Sequence, residues 1–445
     1  AGSLASFVAE PLLSSAGGSG MMMVAMPGHE PAVVDFFSEV PGHGGRPETL
    51  DFDPVNIDFG SARQVFHVGR GSVAVPLAFP GFALAQQTYG RLPLSDLVQP
   101  AERMARIGVP CTKEMALTFE VLWSIVSRDP ETQAVLAPQG RPPSPGSIQI
   151  NPALAALFLE FGRIGRTPEV LRRGLLEDFG PARGGLITEA DLRATAPRIL
   201  APRRLQMGKF EVLGSPRIGG RLVGIIVEAL ARSPRLSDSA EEMLRIAKAS
   251  LEGHRARTHN EHGSTTHISV MDADGGAAAA TLTNGEGCGH MAPGTGVQLN
   301  NFLGEEDLNP TGFHKQAPGS ALQSMIAPTI ALDRGEPVLA VGSGGANRIR
   351  STVAQVLYRV VFLGQSLDEA VGAPRLHAED AEVWVELEGL AEPERIVALL
   401  DAHFPKVCAF EDRAFFFGGA HSVLRRDGKL TGVGDIRRGG AVVRV

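Results

Sequence analysis

The chain has little cysteine: Cys111, Cys288 and Cys408 are the only three, an odd count without a CxxC pair. That excludes a disulfide framework and a cysteine-rich zinc site, and the three read as small buried hydrophobes. Long apolar runs are also missing. The stretch 224–231 is interrupted by Glu228 and falls well short of the roughly 18 to 20 residues that span a bilayer. No long basic block exists, and 42 Lys+Arg against 49 Asp+Glu leave a net charge of −7. Nucleic acid and anionic membranes are therefore poor partners, and a small-molecule substrate is the default. The chain opens Ala1-Gly2-Ser3 without a charged region followed by an apolar core. A leader has been removed or was never present, and the compartment stays open.

What is present is a glycine-rich, mixed pattern. The 445 residues are 43% apolar and 20% charged, with a mean hydropathy of +0.03. This suits one large α/β unit built from two halves, or two or three ordinary domains. The 53 glycines cluster at 17–20, 42–45, 285–296, 342–345 and 418–419, where backbone serves as surface. Apolar residues at three- and four-residue spacing, behind Ser or Asp caps, predict helices over 94–107 and 239–251. Strand patterns occupy 21–26, 72–76, 268–272, 277–283, 328–331 and 338–342. Helices and strands interspersed along the whole length predict a layered α/β fold.

The proline-rich segment 138–145 reads as a surface loop. From 253 to 264 the sequence is polar and predicts an exposed, mobile connector. It runs straight into Thr265, Thr266 and the alternation of 268–272, then a turn at Asp274-Gly275-Gly276 and a second strand. A linker thus feeds a hairpin whose first residue carries a hydroxyl. His254, His259, His262 and His267 have spacing that could ligate zinc, but the segment has no apolar helical face to hold ligands rigid, and a solvated linker accounts for it. His290 and His314 read as loop residues. Gly285, Gly287 and Gly289 follow a strand as in a dinucleotide fingerprint, yet Met291-Ala292-Pro293-Gly294 stands where a helix is required. Gly342-Ser343-Gly344 is not a serine-hydrolase elbow, because Val341 occupies a position that needs glycine.

A Thr-Thr pair at a strand start is weak evidence alone; the segments downstream of it carry more. The hairpin, its glycine-rich turn, Asn300-Asn301, Leu322-Gln323-Ser324-Met325 with Pro328-Thr329-Ile330, and the 342–349 loop occur in the order and spacing of the γ-glutamyltransferase small subunit. Upstream the match runs through 11–18, 72–76, 89–93, 97–100 and 105–110, and downstream through Ala373-Pro374-Arg375, His377 and Gly434-Asp435 with Arg437-Arg438-Gly439. The chain resembles that family over nearly its whole length, with Ala1 inside the family's first helix, so the native start is expected upstream. The resemblance implies a four-layer αββα sandwich with two antiparallel sheets between helical layers. It implies a large part, 1–264, and a small part, 265–445, that share one core. It further implies a precursor that cuts itself before Thr265, a heterodimer of the two parts with further assembly left open, a small-molecule amide substrate and no cofactor. Arg375, His377, Asp435 and Arg438 read as structural supports of the small part.

By resemblance Thr265 is the nucleophile and its freed α-amine, of unperturbed pKa about 7.7–8.0, is the base. The Gly345 and Ala346 amides would hold the oxyanion, Thr283 would hydrogen-bond the nucleophile, and Thr266 would steady its amine. Ala346 replaces a family glycine, which keeps the N–H but restricts the backbone. Phe37, Asn301, Phe302, Glu305, Gln323, Ser324 and Gly344 are the candidate substrate contacts. Several depart from the family. Phe37 stands where an Arg holds the glutamyl α-carboxylate, and Phe302 follows Asn301 where an acid binds the α-amine, with Glu305, Glu306 and Asp307 shortly after. Gln323 replaces the first of two serines, Ser324 keeps the second, and the preceding Lys-Arg-Pro is absent. Loss of the Arg leaves a buried carboxylate unpaired, so an acyl group without the amino-acid head is expected. Acylases of this family that remove glutaryl side chains from β-lactam nuclei show that such a shift occurs. The alternative is an inactive relative that keeps the fold and binds a ligand or partner.

Overall fold

The computed structural model describes residues 1–58, 63–232, 234–257, 265–309 and 311–444. Two antiparallel sheets are built from β1 (Ser19–Ala25), β2 (Ala32–Phe36), β3 (Arg198–Leu200), β4 (Arg203–Met207), β5 (Phe210–Gly214), β6 (Thr266–Met271), β7 (Ala277–Thr283), β8 (Thr329–Asp333), β9 (Glu336–Ser343), β10 (Ala420–Arg426) and β11 (Lys429–Val433). The first sheet has the order β6-β7-β1-β2-β3 and the second β11-β10-β9-β8-β5-β4. Each sheet takes strands from both sides of residue 265, so the core between the sheets is shared by the two halves.

The layers follow from the two-residue side-chain period of the strands. On β1 and β2, Met21, Met23, Ala25 and Val33 face the second sheet and share its core. Their neighbours Val24, Val34 and Phe36 face the other way, into a separate cluster. That outer cluster is closed by α1 (Gly2–Ala9), α2 (Ala78–Tyr89), α3 (Gln99–Ile107) and α4 (Pro152–Ile164), which contribute Phe7, Phe79, Phe82, Ala101, Phe158 and Phe161. The far face of the second sheet is covered by α5 (Ile218–Ala231), α6 (Ser239–Arg255) and α7 (Arg348–Leu357), through Leu222, Ile226, Ile246 and Val353. Helix, sheet, sheet, helix: the αββα sandwich is present. Burial on both faces explains why β1 reads as an unbroken apolar run, each large side chain stabilising the fold by about 1.5–3 kcal/mol.

Three local expectations change. The helix expected over 94–107 is divided into a short turn, Leu94–Leu97, and α3, because Pro100 lacks the N–H that would continue the first. The run 72–76 is not a strand: its Ala74 N–H and carbonyl bond the Asn300 side chain at 3.0 Å each, not a neighbouring strand. His254, expected in an exposed connector, lies in the last turn of α6, buried and 3.1 Å from Asp380. Residues 258–264 of that connector lie outside the described residues.

The link from β9 into α7 turns through Gly344, Gly345, Ala346 and Asn347. Gly345 has φ 110° and Ala346 φ 53°, so a residue with a β-carbon is held in the left-handed region. That costs about 1–2 kcal/mol relative to the right-handed form. Packing from behind imposes it, since a methyl on Gly345 would lie 2.7 Å from Gly418 Cα. Gly418 in turn is held by a buried charge cluster. Arg375 pairs with Asp435 and donates to the Gly418 carbonyl at 3.3 Å. Arg437 spans Glu386 at 2.5 Å and Asp435 at 3.2 Å, and Asp435 accepts from Ala420 N at 3.0 Å.

Two outcomes test this scaffold. Asp435→Ala leaves two buried guanidiniums short of a partner and should destabilise the fold by about 3–5 kcal/mol in urea unfolding. Burial alone would raise the Asp435 pKa, but Arg375 and Arg437 more than offset it and hold it below the usual carboxylate range. Its contribution is therefore present above the unfolded pKa and lost as pH falls through the lower folded value. Ala346→Gly should raise stability by about 0.5–1 kcal/mol, left-handed strain relieved minus the added unfolded-state entropy.

Candidate active site

Strand register gathers the site. Thr266 pairs with Leu282, Leu282 with Gly20, and Gly20 with Phe36, so four residues from β6, β7, β1 and β2 form one row across the first sheet. One step further along lie Thr265, Thr283, Ser19 and Phe37, all buried. Residues 265 and 283 thus meet Phe37 at a single sheet edge. The β9–α7 loop closes over that edge, with Gly344 so near that a methyl on it would collide with the Thr265 carbonyl oxygen.

These residues line one narrow cleft. Thr265, Thr283, Ala346, Phe37, Phe302, Glu305 and Ser324 all border it, together with Leu308, Met325, Ile326 and Ile349. Phe37 and Phe302 stack with ring centroids 5.2 Å apart and planes at 24°, forming an apolar wall. Asn300 fixes the loop bearing Phe302 by donating to Gly17 and Ala74 carbonyls at 2.8 and 3.0 Å, and Asn309 donates to the Phe302 and Glu305 carbonyls at 2.8 Å each. Thr283 Oγ1 accepts from Gly285 N at 3.1 Å, and Asn301 Oδ1 from Glu286 N at 2.8 Å.

Not every expected contact is in the cleft. Gln323 is exposed and is not among the lining residues. Asn301 is fully buried behind the lining, and Gly344 lies against the Thr265 backbone. Asp307 has no described side chain.

Two polar residues that sequence reasoning did not single out shape the site. Arg217, before α5, bonds Asp35 at 2.8 Å and the Leu322 carbonyl at 2.7 Å, with its guanidinium 5.6 Å from the Phe37 ring centre. Asp35 also accepts from Phe37 N at 3.1 Å. One ion pair thereby ties the strand bearing Phe37 to the segment bearing Ser324, and its positive charge is matched there. Glu10, just after α1, accepts from Thr266 Oγ1 at 2.5 Å. The only signal for Glu10 was its place one residue before the matched segment 11–18; nothing local marks Arg217.

The histidines do not converge. His267 lies within β6, its ring between Thr281 Oγ1 at 2.8 Å and Ser269 Oγ at 2.9 Å, and burial with His421 nearby holds its pKa well below normal, so it is neutral. His290 sits between Asp51 and Asp129, and His314 stacks edge-on to Phe52. His259 and His262 lie outside the described residues. Among the described residues no three His, Cys, Asp or Glu side chains are grouped to hold a metal.

Comparison with known proteins agrees with this architecture. A model of the gamma-glutamyltranspeptidase family matches residues 1–244 and 226–445. The acylase ACY 1 proenzyme of Pseudomonas sp. (strain V22) is 29% identical, the alignment covering 98% of this chain and 87% of that protein. The glutathione hydrolase proenzyme of Escherichia coli (strain K12) is 26% identical over 97% of this chain and 84% of its own. In structure, a cephalosporin acylase from Bacillus halodurans superposes with a TM-score of 0.81 at 20% identity, covering 99% of this chain and 89% of that one. With the family model matching both halves and the sandwich in place, the chain belongs to the gamma-glutamyltranspeptidase family.

Proposed function

We propose that the chain is a self-processing amidohydrolase or acyltransferase in which Thr265, freed by cleavage of the bond before it, attacks an acyl amide. The observation that carries this reading is the convergence of Thr265, Thr283 and Ala346 on one cleft beside an apolar wall, with the Gly344 backbone packed against Thr265. The Thr265 hydroxyl oxygen bonds to the amide carbon and its proton passes to the Thr265 α-amine. The carbonyl electrons move onto oxygen, where the Gly345 and Ala346 N–H groups, fixed in advance by the strained turn, stabilise them without rearranging. Collapse of that intermediate breaks the C–N bond, the α-ammonium returns its proton to the leaving amine, and an ester on Thr265 remains. Water or a second amine then takes the acyl group. No step calls for a cofactor.

The same geometry speaks to the acyl group. Phe37 and Phe302 form the wall, and Arg217, the guanidinium over Phe37, is neutralised by Asp35. A γ-glutamyl α-carboxylate would enter an apolar wall without a cation to meet it, a penalty of several kcal/mol. An acyl group lacking the amino-acid head fits better. The acylase ACY 1 proenzyme, somewhat more similar to this chain than the glutathione hydrolase proenzyme, supports acyl transfer from something other than a γ-glutamyl donor. Parts 1–264 and 265–445 would stay associated after the cut, because each sheet draws strands from both.

Intact mass of the purified protein beside Thr265→Ala tests the nucleophile: the wild type should resolve into pieces of 264 and 181 residues and the variant stay whole. Two intact chains would leave an inactive, ligand-binding relative as the better reading. For the acyl group, kcat/KM for butyryl p-nitroanilide should exceed that for the γ-glutamyl anilide by at least about tenfold, some 1.4 kcal/mol. Equal turnover of the two would refute an altered acyl pocket.

A further inference from the structure

Glu10 is held firmly beside Thr266, the residue after Thr265. Its own N–H donates to the Ser6 carbonyl at 2.8 Å, and its carbonyl accepts from Leu13 N at 2.9 Å and Ser14 N at 3.1 Å. These bonds fix the backbone from which the side chain extends, and the carboxyl receives the Thr266 hydroxyl at 2.5 Å, a distance typical of a charge-assisted O–H···O bond. A threonine hydroxyl has one proton to donate and two lone pairs to accept with. Once that proton is committed to Glu10, Thr266 Oγ1 can only accept. It then stands as an acceptor on the residue next to Thr265.

Resting on the reading of Thr265 as nucleophile, we infer that Glu10 is a positioning residue for the Thr265 α-amine: as a carboxylate it holds the Thr266 hydroxyl as an acceptor for an amine N–H, leaving the amine lone pair free for the Thr265 hydroxyl proton. When Glu10 is protonated, its own O–H can donate to Thr266 Oγ1. The Thr266 proton is then released toward the amine lone pair and occupies the base. In this switch Glu10 takes up one proton from solvent, and two hydrogen-bond directions reverse, that between Glu10 and Thr266 and that between Thr266 and the amine.

Charged groups around Glu10 set where this occurs. Thr266 faces it from β6, and Arg438 faces it from the C-terminal segment, with its guanidinium over the Phe415 ring. Arg438 is itself faced by Arg348, Glu286 and Asp435, and burial with Arg348 brings its pKa down to about 9, which leaves it cationic at neutral pH. Burial raises the Glu10 pKa, with Thr266 and Arg438 opposing. Glu10 therefore protonates above the ordinary glutamate range.

The pH dependence of Thr265 acylation by p-nitrophenyl butyrate, read by intact mass on the self-cleaved protein, tests the assignment. In the wild type the logarithm of the rate should fall with a slope of about one as the amine protonates and about two once Glu10 follows. Glu10→Gln can still accept from Thr266 but cannot titrate, so its slope should stay near one. Glu10→Ala should slow acylation at neutral pH on the order of tenfold. If Glu10→Gln does not mature, Thr266→Val reports the same relay: it should lose the second slope and Thr266→Ser restore it. A slope of one in the wild type, or two in Glu10→Gln, overturns the role of Glu10. Acylation that persists in Thr265→Ala removes the nucleophile reading instead, and this one with it.

Discussion

Seven residue pairs of antiparallel ladder join β1 to β7, from Ser19 opposite Thr283 to Ala25 opposite Ala277, and the rest of the molecule is arranged around them. The ladder inserts a strand from the first half of the chain between strands of both halves. Its register decides where chemistry can gather. Because Gly20 lies opposite both Leu282 and Phe36, the end of β2 arrives at the edge where β6 begins. A slip of one residue would turn Met21 and Met23 out of the inter-sheet core and Val24 into it, so hydrophobic burial on both faces enforces the alignment that brings Thr265 to Phe37.

Charge is used beside the cleft mainly to hold backbone. Asp35 with Arg217 fastens two walls of the cleft to each other, and Arg375, Asp435, Arg437 and Glu386 buttress the Gly418 backbone that packs on Gly345. Buried pairs of this kind contribute little net stability when complete and cost much when broken. Their value is geometric: each removes a degree of freedom from a segment that would otherwise be loop. The guanidinium nearest the aromatic wall is thereby already matched.

The fold was legible because its signals are local and repeated. Period-two and period-3.6 patterns marked β7 to the residue and α6 to within one turn, and the order of motifs implied the four layers. The cleft was legible where one segment carries its own chemistry, as with Thr265, Thr283, Phe302 and the 342–349 loop. Contacts made across long separations were not. Gln323 and Ser324 look equivalent in sequence, but the Gly219 N–H, at 3.1 Å from the Ser324 carbonyl, anchors the segment at one residue and leaves Gln323 to solvent. The run 72–76 has strand composition, yet the side chain of Asn300 satisfies its backbone. Arg217 and Glu10 act through partners 182 and 256 residues away, which no window of sequence displays.

The sharing of both sheets between segments before and after residue 265 has a kinetic side. A single chain that must interleave its strands folds at a rate independent of dilution. Once severed at that point, the same architecture could be rebuilt only by a second-order encounter of two pieces, neither of which holds all the strands of either sheet. Cutting after folding would thus convert a reversible equilibrium into a one-way commitment. The finished molecule would persist through slow unfolding, since dilution inside a cell offers the separated pieces little opportunity to meet again.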